Sequence, residues 1–147
     1  MKISDFLSPT DIIIDCRAAN KHQLLQKLAH KAAPTLGLSA DTILSELLKR
    51  EELGSTGVGG GVAIPHTRLA AVKRPLGVVV RMKQPIDFEA IDGQAVDIAV
   101  LLLLPAAPEA DQLVALALVA RKLKSAETLT LLRSIKTPAD FYAALTD

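Results

Sequence analysis

Apolar and polar positions alternate along this chain in two rhythms, one helical and one extended. Ile12-Ile13-Ile14, bounded by Asp11 and Asp15, is a short β-branched run that predicts a first strand. Leu24, Leu25, Leu28, Ala29 and Ala32 then recur at helical spacing. Asn20 stands before them as an N-cap, with Gln23 in capping-box position, and Pro34 and Gly37 close that helix. Ser39 caps a second helix, with Asp41 in its first turn and Ile43, Leu44, Leu47 and Leu48 on one face. Lys49 and Arg50 occupy its last turn, where positive charge suits the helix dipole, and Gly54 falls at the C′ position.

Beyond it the rhythm changes. Val62-Ala63-Ile64 reads as a buried strand ending at Pro65-His66. Lys73-Arg74-Pro75 marks a turn, Leu76 to Met82 a strand with Gly77 near its start, and Asp92-Gly93 a turn joining neighbouring strands. Val96 to Leu104 is apolar almost without a break, as a central strand covered on both faces must be. Pro105 and Pro108 end it and lead into a helix from about Glu109 to Lys124. Ser125 restarts a helical segment, and Thr137-Pro138-Ala139-Asp140 supplies a cap, a proline at N1 and an acid at N3 for a last one. Strands interleaved with helices predict an α/β fold, a single three-layer domain over residues 1–147 with a mixed central sheet flanked by helices.

Composition narrows the setting. Half of the 147 residues are hydrophobic and 3% are aromatic, so the core is aliphatic. A net charge of +1 offers no global field for nucleic acid or an anionic membrane. Cys16 is the only cysteine, which rules out an intrachain disulfide and suits a reducing compartment. The N-terminal MKISDFLSPTD has no long apolar region, and the longest apolar run, Ile98 to Pro105, falls far short of the ~20 residues that span a bilayer. The expectation is a cytoplasmic protein without membrane insertion.

Chemistry concentrates between Gly54 and Leu69, GSTGVGGGVAIPHTRL. Gly57, Gly59, Gly60 and Gly61 make a pliable, amide-rich loop. Pro65 fixes its own φ and pushes Ile64 towards extended geometry, so a rigid strand end presents His66 beside that loop. His66 reads two ways from this setting: a nucleophile, or a structural imidazole bonded to a nearby carbonyl. His22 and His30 lie on the first helix among Lys and Gln and read as solvated surface residues. No residue stands at metal-ligand spacing from them, and the chain carries no zinc pattern. Nucleotide motifs fail too: no Gly-Lys-Ser/Thr follows the glycines, and a dinucleotide fingerprint from Gly57 would need glycine where Val62 stands. No cofactor is implied.

The blocks Arg50-Glu51-Glu52-Leu53-Gly54-Ser55-Thr56-Gly57 and Val62-Ala63-Ile64-Pro65-His66 resemble enzyme IIA of the bacterial phosphotransferase system. The match is to the mannitol/fructose/nitrogen-regulatory class, nearest to its stand-alone nitrogen-type members. It continues through Gln84-Pro85-Ile86-Asp87-Phe88, Ala90-Ile91-Asp92-Gly93-Gln94, Val96-Asp97 and Leu118-Val119-Ala120-Arg121, and so covers nearly the whole chain. It departs in two places: Thr67 follows the histidine where the family usually has glycine, and Gln112 stands where a second active-site histidine is common.

The resemblance implies that His66 is a phosphoacceptor and that Arg50 faces the phosphohistidine with its planar fork. Read without it, Arg50 is equally a surface residue paired with Glu46 four positions earlier. Ser55 and Thr56 either donate hydroxyls to phosphate or shape a turn. The amides of Gly57, Gly59 and Gly60 offer a phosphate nest, and Thr67 a hydroxyl or an obstruction. Gln112 donates through its amide but does not titrate, or is a plain helix-surface residue. The implied function is a phosphoacceptor that takes a phosphoryl group from a histidine-containing phosphocarrier protein and regulates partners by its phosphorylation state. Two alternatives stand beside it: a sugar-transport IIA that passes phosphate to a IIB component, and a binding module of the same fold that has lost transfer. A homodimer is compatible with the sequence.

Overall fold

The computed structural model describes residues 1–107 and 110–147, with the backbone alone for 110–112. Its elements in chain order are β1 (Ile12–Cys16), α1 (Lys21–Leu36), α2 (Ala40–Glu52), β2 (Gly57–Gly59), β3 (Val62–Ala63) and β4 (His66–Leu69). There follow β5 (Leu76–Ile86), β6 (Val96–Pro105), α3 (Ala110–Lys124), α4 (Ala126–Ser134) and α5 (Pro138–Thr146). Two 3-10 turns, Ile3–Asp5 and Pro9–Asp11, precede β1.

The strands form one mixed sheet in the order β1-β5-β6-β3-β2, with β4 prolonging the β3 path along β6. β1 runs parallel to β5, β5 antiparallel to β6, and both β3 and β4 parallel to β6. β6 is the spine, and its side chains divide by the two-residue period of a strand. Ala99, Leu101 and Leu103 enter a core beneath α1 and α2 with Leu24, Leu28, Ile43 and Leu47. Ile98, Val100, Leu102 and Leu104 enter the opposite core with Val119, Leu132 and Phe141 from α3, α4 and α5. The three layers predicted from the sequence are therefore present, with helices on both faces of a mixed sheet.

Side-chain caps delimit the helices. Asn20 accepts from the Gln23 amide, Ser39 from Thr42, Ser125 from Thr128 and Thr137 from Asp140. Gln23 Oε1 reaches back to the Ala19 amide at 2.8 Å, one residue earlier than a capping box requires. Two boundaries need correction. Pro34 lies inside α1, not at its end: the helix runs on to Leu36 and closes at Gly37, whose φ of 64° is left-handed. β5 extends past Met82 through Pro85 to Ile86, because its register with β6 slips between Arg81 and Ile86 and frees Pro85 from the ladder. Gly54 holds the C′ position expected of it, directly after the C-cap Leu53, with a positive φ of 152° and its amide on the Glu51 carbonyl at 3.1 Å. Pro108 and Glu109, expected at the start of the third helix, lie outside the described residues. Among the described residues no helix is long and apolar enough to cross a membrane.

Candidate active site

His66 opens a strand; it does not close one as its sequence context suggested. β3 pairs Val62 and Ala63 with Ile98 and Ala99, the path breaks at Ile64-Pro65, and His66 then pairs with Leu102 as the first residue of β4. The break follows from chemistry, since Pro65 has no N–H to give the ladder. Its carbonyl still accepts from the Leu102 amide at 2.9 Å, and the Ile64 amide donates to the Thr56 carbonyl at 2.9 Å. The interruption leaves the Ile64 carbonyl to the imidazole: His66 Nδ1 lies 2.8 Å from it. A carbonyl accepts and never donates, so in the neutral ring Nδ1 carries the proton and Nε2 keeps its lone pair.

Partial burial pushes the His66 imidazole below its usual pKa, against the opposing effect of the Ile64 hydrogen bond. The positive charges of Arg50 and Arg68 add to the lowering, and Glu51 offsets part of it. Burial and the nearby positive charges together favour the neutral ring, with the proton on Nδ1 and the free lone pair on Nε2.

The imidazole lies in a cleft of about 540 Å³ between the end of α2, β4 and the first turns of α3. Lys49, Arg50 and Arg68 bring positive charge to it, Glu46 one opposing carboxylate, and Thr67 lines it beside the histidine. Arg50 Nη1 donates to the Gly54 carbonyl at 2.9 Å. The alternative Arg50–Glu46 surface pair is not formed: Glu46 takes Lys49 instead, at 3.2 Å. Leu53 and Leu113, 84% and 70% exposed, form an apolar rim around this charged cleft.

Other residues singled out in the sequence lie elsewhere or are occupied. Ser55 Oγ donates to the Phe88 carbonyl at 3.2 Å and accepts from the Gly57 amide at 3.1 Å, which makes it a turn former. Thr56 is buried and gives both its amide and its hydroxyl to the Glu51 carboxylate. Gly57 packs against Ala90, whose Cβ would stand 2.7 Å from any Cβ added there. Gly59 and Gly60 line a separate cleft with Val58, Ile91, Asp92 and Leu129, and the Gly60 amide donates to Asp92 at 3.0 Å.

Strand register explains this separation. Val62, next after the glycines, pairs with Ile98, whereas His66 pairs with Leu102. Four strand positions at about 3.3 Å each put the glycine turn some 13 Å or more from the imidazole. The glycines therefore shape a hairpin, in which Gly57 pairs with Ala63 and Gly59 and Gly60 line a cleft apart from that of His66. The side chain of Gln112, in the first turn of α3, lies outside the described residues.

Two residues at the site had escaped the sequence reading. Arg68 stands two positions after His66 on β4, hence on the same face of the strand, and lines the cleft. Glu51 is 6% exposed and pairs with Lys21 Nζ at 2.7 Å. An acid in the last turn of a helix opposes the dipole, and that was the available signal that Glu51 has another purpose.

A mixed sheet carrying one neutral, tautomerically fixed imidazole in a cationic cleft agrees with the kinship of the whole chain. It belongs to the EIIA 2 family of the phosphoenolpyruvate-dependent sugar phosphotransferase system, whose model matches residues 5–147. Within that family it aligns with nitrogen regulatory proteins. The one from Bradyrhizobium diazoefficiens is 41% identical over 145 residues, 99% of this chain and 95% of that protein. The crystal structure of nitrogen regulatory protein IIA-Ntr from Neisseria meningitidis superposes with a TM-score of 0.94 at 32% identity, covering 98% of this chain and 99% of that one. The fold is shared also by Escherichia coli enzyme IIA of the mannitol system, solved in complex with phosphorylated enzyme IIB, at a TM-score of 0.80 and 14% identity, over 95% and 96% of the two chains.

Proposed function

We propose that this protein is a cytoplasmic phosphoacceptor that receives a phosphoryl group on His66 Nε2 from a histidine-containing phosphocarrier protein. The observation that carries the reading is the bond from His66 Nδ1 to the Ile64 carbonyl inside a cleft bearing Arg50 and Arg68. In the transfer, the Nε2 lone pair attacks phosphorus while the donor's N–P bond breaks, and that electron pair returns to the donor imidazole. No proton need leave Nε2, because the proton already sits on Nδ1. As the acceptor ring gains positive character, its Nδ1–H bond to the Ile64 carbonyl strengthens. The phosphoryl oxygens need donors and positive charge, which Arg50 and Arg68 supply at the cleft, Lys49 there being paired with Glu46. The exposed Leu53 and Leu113 give a docking protein an apolar rim around the charged centre.

The phosphorylation state of His66 would then control regulatory partners, a reading favoured by the similarity to nitrogen regulatory proteins over nearly the whole chain. The shared fold with a mannitol IIA bound to phosphorylated IIB supports the second reading, onward transfer to a IIB component. To test acceptance, the protein is incubated with phosphoenolpyruvate, the general phosphotransferase enzyme and a phosphocarrier, and the acid-labile adduct is mapped by mass spectrometry. Label on His66 that vanishes in His66→Ala is expected. Label that persists in His66→Ala at His22 or His30 would overturn the assignment.

A further inference from the structure

The imidazole is the last member of a continuous polar chain that begins on a different helix. Lys21 Nζ, in the first turn of α1, lies 2.7 Å from Glu51 Oε2 and 4.7 Å from the centre of the Phe88 ring. The same Oε2 accepts from the Thr56 amide at 3.1 Å, and Oε1 accepts from the Thr56 hydroxyl. The Thr56 carbonyl accepts from the Ile64 amide at 2.9 Å, and the Ile64 carbonyl holds His66 Nδ1 at 2.8 Å. Two residues, Thr56 and Ile64, therefore separate the Glu51 carboxylate from the ring it cannot touch. On its other side Glu51 adjoins Arg50, and the turn between them and Thr56 is closed by Arg50 Nη1 on the Gly54 carbonyl and by the Gly54 amide on the Glu51 carbonyl.

We propose that Glu51 is a positioning residue for the phosphoacceptor site: its buried carboxylate, held by Lys21 and bonded twice to Thr56, fixes the Thr56–Ile64–His66 chain and the turn presenting Arg50. The inference rests on the reading of His66 as phosphoacceptor. A buried carboxylate this completely bonded is costly to leave unpaired, so it locks its partners into one arrangement. Side chains Glu51 and Lys21 are only 6% and 18% exposed, which makes the contact insensitive to solvent fluctuation. The carboxylate holds Thr56 at both its amide and its hydroxyl, and so restrains the residue whose carbonyl meets the Ile64 amide. Loss of either bond loosens Thr56 and, through it, the Ile64 backbone whose carbonyl holds Nδ1. The Nδ1–H bond then weakens, and the ring samples the tautomer and orientations in which Nε2 is misaimed.

The test compares wild type, Glu51→Gln, Thr56→Val, the double variant, and Thr56→Ser as the conservative control that keeps the hydroxyl. Far-UV circular dichroism and thermal melting establish that each is folded at the assay temperature. Ring 15N NMR of unphosphorylated His66 then reads the tautomer, and quench-flow reads transfer from a phosphocarrier. Misplacement of an otherwise intact nucleophile should cost about tenfold to a hundredfold in the transfer rate constant. We expect that loss in Glu51→Gln and Thr56→Val, a double variant no worse than Glu51→Gln, and near wild-type behaviour in Thr56→Ser. The KM for the donor should stay within about twofold, since no docking residue has changed. Both slow variants should show mixed His66 tautomers. Folded Glu51→Gln with wild-type tautomer and rate would overturn the proposal while leaving the phosphoacceptor reading intact. If Glu51→Gln does not fold, Thr56→Val decides by the same criteria. If wild type itself takes no phosphate, the phosphoacceptor reading fails, and the tautomer comparison alone still accepts or rejects the positioning role.

Discussion

Replacing Gly61 with alanine separates the structural role of the glycine cluster from any role in chemistry. Gly61 has a φ of 81°, and an added Cβ would stand 2.6 Å from Arg133 Nη2 and 3.1 Å from Asp97 Oδ1. Arg133 is forked there, with Nε 2.8 Å from Asp97 Oδ2, Nη2 3.0 Å from Oδ1, and Nη2 2.6 Å from the Gly60 carbonyl. The guanidinium must move to admit the methyl group, and it leaves the Gly60 carbonyl when it does. The left-handed backbone costs an alanine about 1–2 kcal/mol, and the lost hydrogen bond about 1 kcal/mol more. The Arg133–Asp97 pair is partly exposed and adds little. The sum, about 2–3 kcal/mol, corresponds to a fall of about 4–12 °C in Tm for a chain of this size. Urea and thermal unfolding measure it, and the phosphorylation rate is measured on the folded variant. The rate should be unchanged, because strand register separates the glycine turn from His66. Stability within 0.5 kcal/mol of wild type (the scatter of ordinary surface substitutions, about ±0.5 kcal/mol) would refute the packing argument. A folded Gly61→Ala that no longer accepts phosphate would refute the separation of the two clefts.

Three other predictions concern the cleft. Arg50→Lys keeps a charge but loses the planar fork and its bond to Gly54, so transfer should fall at least about tenfold, and further in Arg50→Ala; wild-type rates in both would return Arg50 to the surface. The folded His66 pKa is lowered, so near pH 6.5 the unfolded chain binds the proton first. Its contribution to stability is therefore present above that pH and is lost as pH falls towards the folded pKa; an NMR titration midpoint at or above the ordinary imidazole value would contradict this. With glutamine at position 112, the transfer rate of wild type should follow a single-group pH curve, and Gln112→His should add a second, coupled step and faster phosphorylation. An unchanged profile and rate in that variant would mean that position 112 does not communicate with His66.

Much of the architecture was legible because local chemistry and tertiary packing agree. Val96 to Leu104 reads as a two-faced strand, and β6 divides its side chains between the two cores. Asn20, Ser39, Ser125 and Thr137 each cap the helix assigned to them. The misplaced boundaries arose where local punctuation was overridden. α1 continues through Pro34 although a proline there has no N–H for the preceding turn, and β5 passes Pro85 where its register slips. At the site, a histidine after a strand-breaking proline was visible as exceptional, but its hydrogen bond to Ile64 was not. Gly59 and Gly60, read as neighbours of the imidazole, line a different cleft, because nearness in sequence does not survive four positions of extended chain. Glu51 escaped notice because Lys21, its ionic partner, reaches it from α1 across the tertiary fold.

The central claim is that Nε2 of His66 is the atom that takes the phosphoryl group, since the Ile64 carbonyl keeps the proton on Nδ1. Ring 15N NMR on the protein phosphorylated by the phosphocarrier chain measures this directly, through the two-bond couplings that distinguish the ring nitrogens. The account predicts a single phosphohistidine at His66, with phosphorus on Nε2 and a proton on Nδ1. Phosphorus on Nδ1, or on the ring of His22 or His30, would contradict it.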